Sequence, residues 1–93
     1  MIRHIVMWKF RPDTQGEQQR FIQGLRGLQG VVPQILRSEV GENVKDGNYD
    51  AVLMADFESF ETLEAYLQDP RHKAVSEICK AIRIERTAVD YEI

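Results

Sequence analysis

The sequence has a single cysteine, Cys79, and no run of basic residues in its 93 positions. One cysteine excludes an internal disulfide and favours a reducing compartment, so we expect the chain to be cytoplasmic. The net charge of −3 argues against the concentrated positive surface that nucleic-acid binding requires. The apolar start is too short and too interrupted for a signal peptide or a membrane span. We therefore expect neither a nucleic-acid nor a membrane partner.

The composition is that of an ordinary globular protein, because 43% of the residues are hydrophobic and 29% are charged. Residues 1–93 suffice for one domain. Such a short chain buries only about two-thirds of its unfolded surface, so a partner subunit would add stability.

Hydrophobic periodicity predicts seven elements in the order β-α-β-β-α-α-β. The predicted strands comprise residues 2–10, 34–43, 49–58 and 84–92. The first predicted helix begins near residue 15, the second covers about 60–68, and the third follows the start signal Asp69-Pro70. This is the order of the ferredoxin-like fold, an α+β fold with a four-stranded antiparallel sheet and its helices on one face.

Helix signals are clearest around the first two helices. Thr14 and Glu17 have the spacing of a capping box, Pro33 is predicted to stop the first helix, and Ser59 is a good N-cap for the second. Three glycines interrupt the first helix. These are Gly24, Gly27 and Gly30. We interpret them as positions where the helix approaches the sheet closely, or alternatively as positions where the missing side chains leave room for a ligand.

Both faces of the predicted sheet carry apolar side chains. One face has Ile2, His4, Val6, Trp8 and Phe10 of the first strand. The opposite face has Ile5, Met7, Val52, Met54, Val89 and Tyr91. The helices can cover only one face, so we predict that a second copy packs sheet on sheet against the other to form a homodimer.

Five segments, in this order and spacing, resemble a known family across essentially the whole chain: Arg3–Phe10, Val32–Ile35, Tyr49-Asp50, Phe57–Ser59 and Tyr66–His72. The family is the stress-responsive dimeric α/β-barrel family, Dabb. The resemblance implies a homodimer whose two sheets form a joint barrel.

The resemblance also implies a ligand pocket between helices and sheet. The family's best-understood enzyme is a plant cyclase that closes a polyketide chain by aldol condensation, without metal or organic cofactor. Its catalytic tyrosine and histidine fall on Tyr66 and His72, whereas Asp69 departs from the histidine of that enzyme. The predicted pocket lining is His4, Val6, Trp8, Phe21 and Leu53, with the inward-facing Leu25 and Val75.

The residues themselves allow two interpretations at each position. His72 lies near a helix N-terminus, which disfavours imidazolium, so it fits a neutral general base. Alternatively, it only forms a hydrogen bond in the first helical turn. Tyr66 fits either an oxyanion donor or a core residue, and His4 fits best as a hydrogen-bonded core histidine.

Three functions follow as hypotheses. The first is binding of a small apolar or carbonyl-containing ligand without chemistry. The second is a cofactor-free cyclase or isomerase that uses Tyr66 and His72. The third is a monooxygenase-like or haem-binding barrel, for which Trp8 and His72 are slight support. Scattered histidines and one cysteine predict no zinc site, while a magnesium ion held by backbone carbonyls would leave no trace in sequence.

Overall fold

Four strands and three helices follow one another in a computed structural model that describes residues 1–93. They are β1 (Ile2–Phe10), α1 (Gln15–Arg26), β2 (Arg37–Glu42), β3 (Ala51–Phe57), α2 (Phe60–Gln68), α3 (Pro70–Ile82) and β4 (Arg83–Glu92). The strands form one antiparallel sheet in the order β2-β3-β1-β4. The predicted ferredoxin-like fold is confirmed.

The strict alternation of β1 organises the core. Every second residue of this strand is buried, from Ile2 to Phe10, because these side chains point toward the helices. β3 contributes Leu53, Ala55 and Phe57 to the same face. The three helices close over these two strands, and 18 buried hydrophobic residues form one cluster between the layers.

Local sequence signals set the starts of α2 and α3 as predicted. The Ser59 side chain accepts a hydrogen bond from the Thr62 amide, and the Thr62 side chain accepts one from the Ser59 amide. The Asp69 carboxylate accepts from the Arg71 amide at 2.8 Å, and Pro70 occupies the first position of α3. The chain therefore changes direction at a single extended residue, Asp69.

The predicted start of α1 near residue 15 is confirmed, but its predicted capping box and its predicted end are wrong. Thr14 does not cap the helix; its hydroxyl donates to the Arg11 carbonyl and accepts from the Gln18 side chain. The helix ends at Arg26, with Gly27 as its C-cap, well before Pro33. The apolar spacing continues beyond the helix because Leu28 and Val32 are buried from the turns that follow.

The glycines of this region do not approach the sheet. A Cβ atom at Gly24 would lie 3.1 and 3.2 Å from the methyl carbons of Val75, so the close approach is between α1 and α3. Gly30 has φ +85° and lies in a turn, where only glycine adopts this conformation without strain. The predicted helix–sheet contact is therefore replaced by a helix–helix contact.

Two strands are shorter than predicted. β2 begins at Arg37, because the preceding residues remain in the turn that the Ile35 amide closes on the Val32 carbonyl. β3 lacks the two residues predicted before Ala51 and ends at Phe57.

No helix covers the second face of the sheet. Its apolar side chains include Val52, Tyr91 and Val89, which are 36, 41 and 53% exposed. Arg3 and Asp56 on the same face form a bidentate ion pair, with N–O distances of 2.8 and 3.0 Å. None of the helices has the combination of length and apolar character needed to cross a bilayer.

Candidate functional site

A small cavity lies between the helices and the sheet, next to β4. Its volume is about 50 Å³. One water needs about 10–15 Å³ by this measure, so the cavity has room for a few waters or for one end of a small ligand. Twelve residues line it: His4, Val6, Trp8, Phe21, Leu25, Leu53, Tyr66, His72, Ser76, Cys79, Arg83 and Arg86.

All the residues predicted for the site line this cavity except Val75. The Val75 side chain instead occupies the space that Gly24 leaves on α1. The two predicted catalytic residues, Tyr66 and His72, meet in the cavity although they belong to different helices.

The junction between α2 and α3 brings Tyr66 and His72 together. Tyr66 lies in the last turn of α2 and His72 in the first turn of α3, on either side of the extended residue Asp69. Their ring centroids are 4.4 Å apart, with an angle of 51° between the ring planes. In a continuous helix, residues six apart would not share a face in this way.

Tyr66 is 2% exposed and packs against Phe57, with ring centroids 5.0 Å apart. Burial raises the pKa of Tyr66 to about 12. The hydroxyl therefore keeps its proton at neutral pH and can donate a hydrogen bond to a ligand oxygen.

His72 is half-buried, and its Nδ1 atom lies 3.3 Å from the Leu67 carbonyl oxygen. A carbonyl oxygen only accepts, so Nδ1 carries the proton and Nε2 keeps its lone pair. Burial lowers the pKa of His72, and the hydrogen bond to Leu67 partly opposes this effect. The imidazole is neutral at pH 7, as a general base requires.

The carboxylate nearest in sequence to His72 is already paired. Asp69 binds the Arg71 guanidinium through both of its oxygens, at 2.9 and 2.8 Å. This side-chain hydrogen bond and the bond from the Arg71 amide hold the pKa of Asp69 at about 2. Asp69 therefore caps α3 and does not serve as a proton acceptor for the cavity.

A second histidine enters the cavity from β1. His4 is buried and stands directly opposite Asp90 of β4, and its Nδ1–H donates to the Asp90 carboxylate. His4 is thus hydrogen-bonded, as predicted for a core histidine, and also lines the cavity.

Sequence reasoning missed the contribution of β4. Asp90, Arg86 and Arg83 lie on the helix-facing side of this strand, opposite His4, Trp8 and Phe10. The alternation of β4 could have indicated Asp90 and Arg86, because a charged residue at a core-facing position is unusual. Arg83 could not be placed, since it depends on an irregularity in the strand pairing.

The cavity does not offer a cluster of metal-binding side chains. No group of three or more His, Cys, Asp and Glu residues is placed to hold a metal ion anywhere in the chain. Cys79 is buried in α3, and burial raises the pKa of its thiol, which disfavours the reactive thiolate.

The sequence matches the family model described as the stress responsive A/B barrel domain, Dabb, over residues 2–93. The chain belongs to the Dabb family. Olivetolic acid cyclase from Cannabis sativa is 22% identical over 95 residues, which cover 97% of this chain and 94% of the cyclase.

Solved structures share the fold over nearly the whole of this Dabb chain. A dimeric ferredoxin-like protein of unknown function from Bacteroides fragilis superposes with a TM-score of 0.91 at 26% identity, covering 99% of this chain and 95% of that one. Hydroxynitrile lyase from Passiflora edulis superposes with a TM-score of 0.86 at 15% identity, covering 99% and 92%.

Proposed function

We propose that this Dabb chain binds a small carbonyl compound in the cavity and moves a proton at the carbon beside the carbonyl, without a cofactor. The observation that carries the proposal is the meeting of Tyr66 and His72, whose rings lie 4.4 Å apart in one cavity. One of these groups is a neutral hydrogen-bond donor and the other is a neutral base.

The Tyr66 hydroxyl is the group that binds the carbonyl oxygen. When a proton leaves the adjacent carbon, negative charge develops on that oxygen as an enolate. A donor that is already in place stabilises this charge, and more strongly in a buried site than in water. With a pKa raised to about 12, the Tyr66 hydroxyl keeps its proton and is available to donate a hydrogen bond to the enolate oxygen.

Nε2 of His72 accepts the proton from carbon, because Nδ1 is engaged with the Leu67 carbonyl. The imidazolium then returns the proton to carbon, and the neutral base is regenerated. His4 is a second candidate for this role, since it lines the same cavity and its Nδ1 atom is already engaged with the Asp90 carboxylate.

Two relatives are named as enzymes, an olivetolic acid cyclase and a hydroxynitrile lyase. Their names give different reactions on different substrates, so they support a catalytic role for this chain and no particular reaction or substrate.

The test uses 2-butanone as a probe and follows exchange of its α-protons in D₂O by NMR. We expect the wild-type chain to catalyse exchange, and His72→Ala and Tyr66→Phe each to slow it about 100-fold or more. Tyr49→Phe is the matched control, because Tyr49 lies outside the cavity, and it should exchange at the wild-type rate.

Normal exchange in both cavity variants would refute the assignment of Tyr66 and His72. If the wild type binds the probe in the cavity but does not catalyse exchange, the proposed proton transfer is wrong and only the proposed ligand binding stands.

We further propose that the chain is a homodimer through the uncovered face of its sheet. The exposed Val52, Val89 and Tyr91 lie on this face, and the Bacteroides fragilis relative is dimeric. Burial of apolar surface at roughly 25 cal/mol per Å² would drive the association.

Sedimentation velocity of Met54→Asp tests the dimer, because the new carboxylate would be buried at the sheet face. We expect this variant to be monomeric. Ala65→Asp adds the same charge on an exposed side of α2 and should remain dimeric. A wild-type chain that sediments as a monomer at micromolar concentration would overturn this part of the proposal.

A further inference from the structure

Two arginines give the cavity a positive rim. Arg83 and Arg86 line the same cavity as Tyr66 and His72, and the lining includes no aspartate or glutamate. This local charge is opposite in sign to that of the whole chain, which carries a net charge of −3.

A β-bulge places both arginines on the helix side of β4. Residues three apart in a regular strand point to opposite faces. Here Trp8 pairs with Arg86 and Lys9 with Glu85, but Phe10 pairs with Arg83, so β4 has one extra residue, Ile84. Bulges of this kind re-aim side chains and are frequent beside functional sites.

Neither guanidinium is neutralised by the protein. The ion pairs that lysine and arginine form in this chain involve Arg3, Arg37, Arg71 and Lys80, and neither Arg83 nor Arg86. The carboxylate of Asp90, on the helix-facing side of β4, is already paired with His4. Arg83 is half-buried, so part of its hydration is lost without a compensating anion.

The charge of these arginines reaches the groups inside the cavity. Burial is the main cause that lowers the pKa of His72, and the positive charge of Arg86 acts in the same direction. Burial raises the pKa of the Cys79 thiol, and the positive charge of Arg83 opposes it. A ligand anion at the rim would therefore be attracted by both guanidinium groups.

We propose that the site selects a small carbonyl compound that also carries a carboxylate. Arg83 and Arg86 bind the carboxylate at the rim, while Tyr66 and His72 face the carbonyl in the cavity. The planar carboxylate matches the fork of guanidinium N–H donors, and a cavity of about 50 Å³ takes only a few ligand atoms. This inference rests on the proposed function, which it narrows to oxo acids.

Two probes of nearly equal size isolate the charge: acetoacetate and its neutral analogue acetoacetamide. Each is titrated into the ¹⁵N-labelled chain, and amide and imidazole shifts report both the affinity and the place of binding. We expect acetoacetate to bind about tenfold tighter or more, as hydrogen bonds to a charged group would give. Added salt should weaken the binding of acetoacetate and leave that of acetoacetamide unchanged.

Arginine variants test the residues. The double variant R83Q/R86Q should reduce the affinity for acetoacetate to that for acetoacetamide, and R83K/R86K should restore part of the difference. Arg20→Gln removes an exposed arginine of α1 that does not line the cavity, and it should bind acetoacetate as the wild type does. An unchanged amide spectrum in the free variants shows that they are folded.

The outcomes separate the two proposals. Equal binding of both probes in the cavity overturns the carboxylate preference and leaves the carbonyl site standing. Charge-dependent binding of acetoacetate that does not shift the His72 imidazole supports the arginine rim and counts against the proposed proton transfer. If neither probe shifts the cavity resonances at tens of millimolar, both proposals fail. If R83Q/R86Q still binds acetoacetate more tightly than acetoacetamide, residues other than the two arginines recognise the carboxylate, and the assignment to Arg83 and Arg86 is wrong.

Discussion

The two faces of the sheet differ in how they shift the pKa values of ionisable side chains. On the helix-covered face, burial disfavours charge, so the pKa of Tyr66 is raised and that of His72 is lowered. On the uncovered face, the hydrogen bonds from Arg3 hold the pKa of Asp56 low, and both side chains remain charged. Groups suited to proton transfer are therefore on the first face, and groups suited to a polar margin between subunits are on the second.

Adjacent residues of β3 give the sharpest comparison of the two faces. Leu53 is 4% exposed and Val52 is 36% exposed. We expect Leu53→Ala to lower the free energy of unfolding by about 2–5 kcal/mol. Val52→Ala should cost about 0.5 kcal/mol or less in dilute protein, as for other exposed positions.

Urea denaturation at several protein concentrations measures both effects. If the uncovered face packs on a second copy, the cost of Val52→Ala grows with protein concentration. A cost for Val52→Ala as large as that for Leu53→Ala at every concentration would erase the difference between the faces.

The ion pair on the uncovered face should give the next largest effect. Arg3→Met leaves the buried Asp56 carboxylate without its partner, so we expect the variant to be destabilised at pH 7. Asp56 has a lowered pKa in the folded chain, so its contribution is present above the ordinary carboxyl pKa and is lost as the pH falls through the lowered value.

The difference between wild type and Arg3→Met should therefore shrink at pH 3, as measured by urea unfolding at both pH values. Lys80→Met is the control, because the Lys80–Glu77 pair is exposed and should contribute little. Equal effects of the two substitutions would show that the Arg3–Asp56 pair does not behave as a buried one.

Alkaline titration tests the covered face through Tyr66. Since the pKa of this phenol is raised to about 12, its contribution to stability is complete below pH 10 and is lost as the pH rises through the folded value. We expect Tyr66→Phe to remove the last step in the absorbance titration at 295 nm. Retention of that step in the variant would place the high pKa on another tyrosine.

The smallest expected effect is the acid titration of His72. Its pKa is lowered in the folded chain, so the unfolded chain binds the proton first as the pH falls below the ordinary value of 6.5. Stability should decrease from there down through the lowered value, and His72→Gln should remove this decrease. NMR titration of the imidazole, with a midpoint above 6.5, would contradict the burial of His72.

Local signals made most of the fold predictable. The alternation of β1 fixed which side chains face the helices, and Ser59 and Asp69 marked the starts of α2 and α3 because capping depends on neighbouring residues only. The end of α1 could not be predicted in the same way. Leu28 keeps the helical spacing although it lies beyond the C-cap Gly27, and only tertiary packing explains its burial.

The candidate site was predictable where the family resemblance names its residues. Tyr66 and His72 were found in this way, whereas their contact across the junction of α2 and α3 is visible only in the structure. Asp90 and Arg83 depend on pairing across the whole length of the chain, where the register of β4 against β1 decides which residues meet. Val75 was misplaced because its neighbour is a glycine of another helix, and a missing side chain leaves no pattern in sequence.

The extra residue in β4 also has a consequence for how pockets of this fold diverge. Without the irregular pairing, Ile84 and not Arg83 would lie opposite Phe10, so the rim of the cavity would be apolar at the position where it is now cationic. The gain or loss of one residue at the junction of α3 and β4 can thus change the polarity of the cavity entrance without a substitution at Tyr66 or His72. Ligand preference in this fold can change by slippage of a strand, with no substitution at any position that touches the reacting groups.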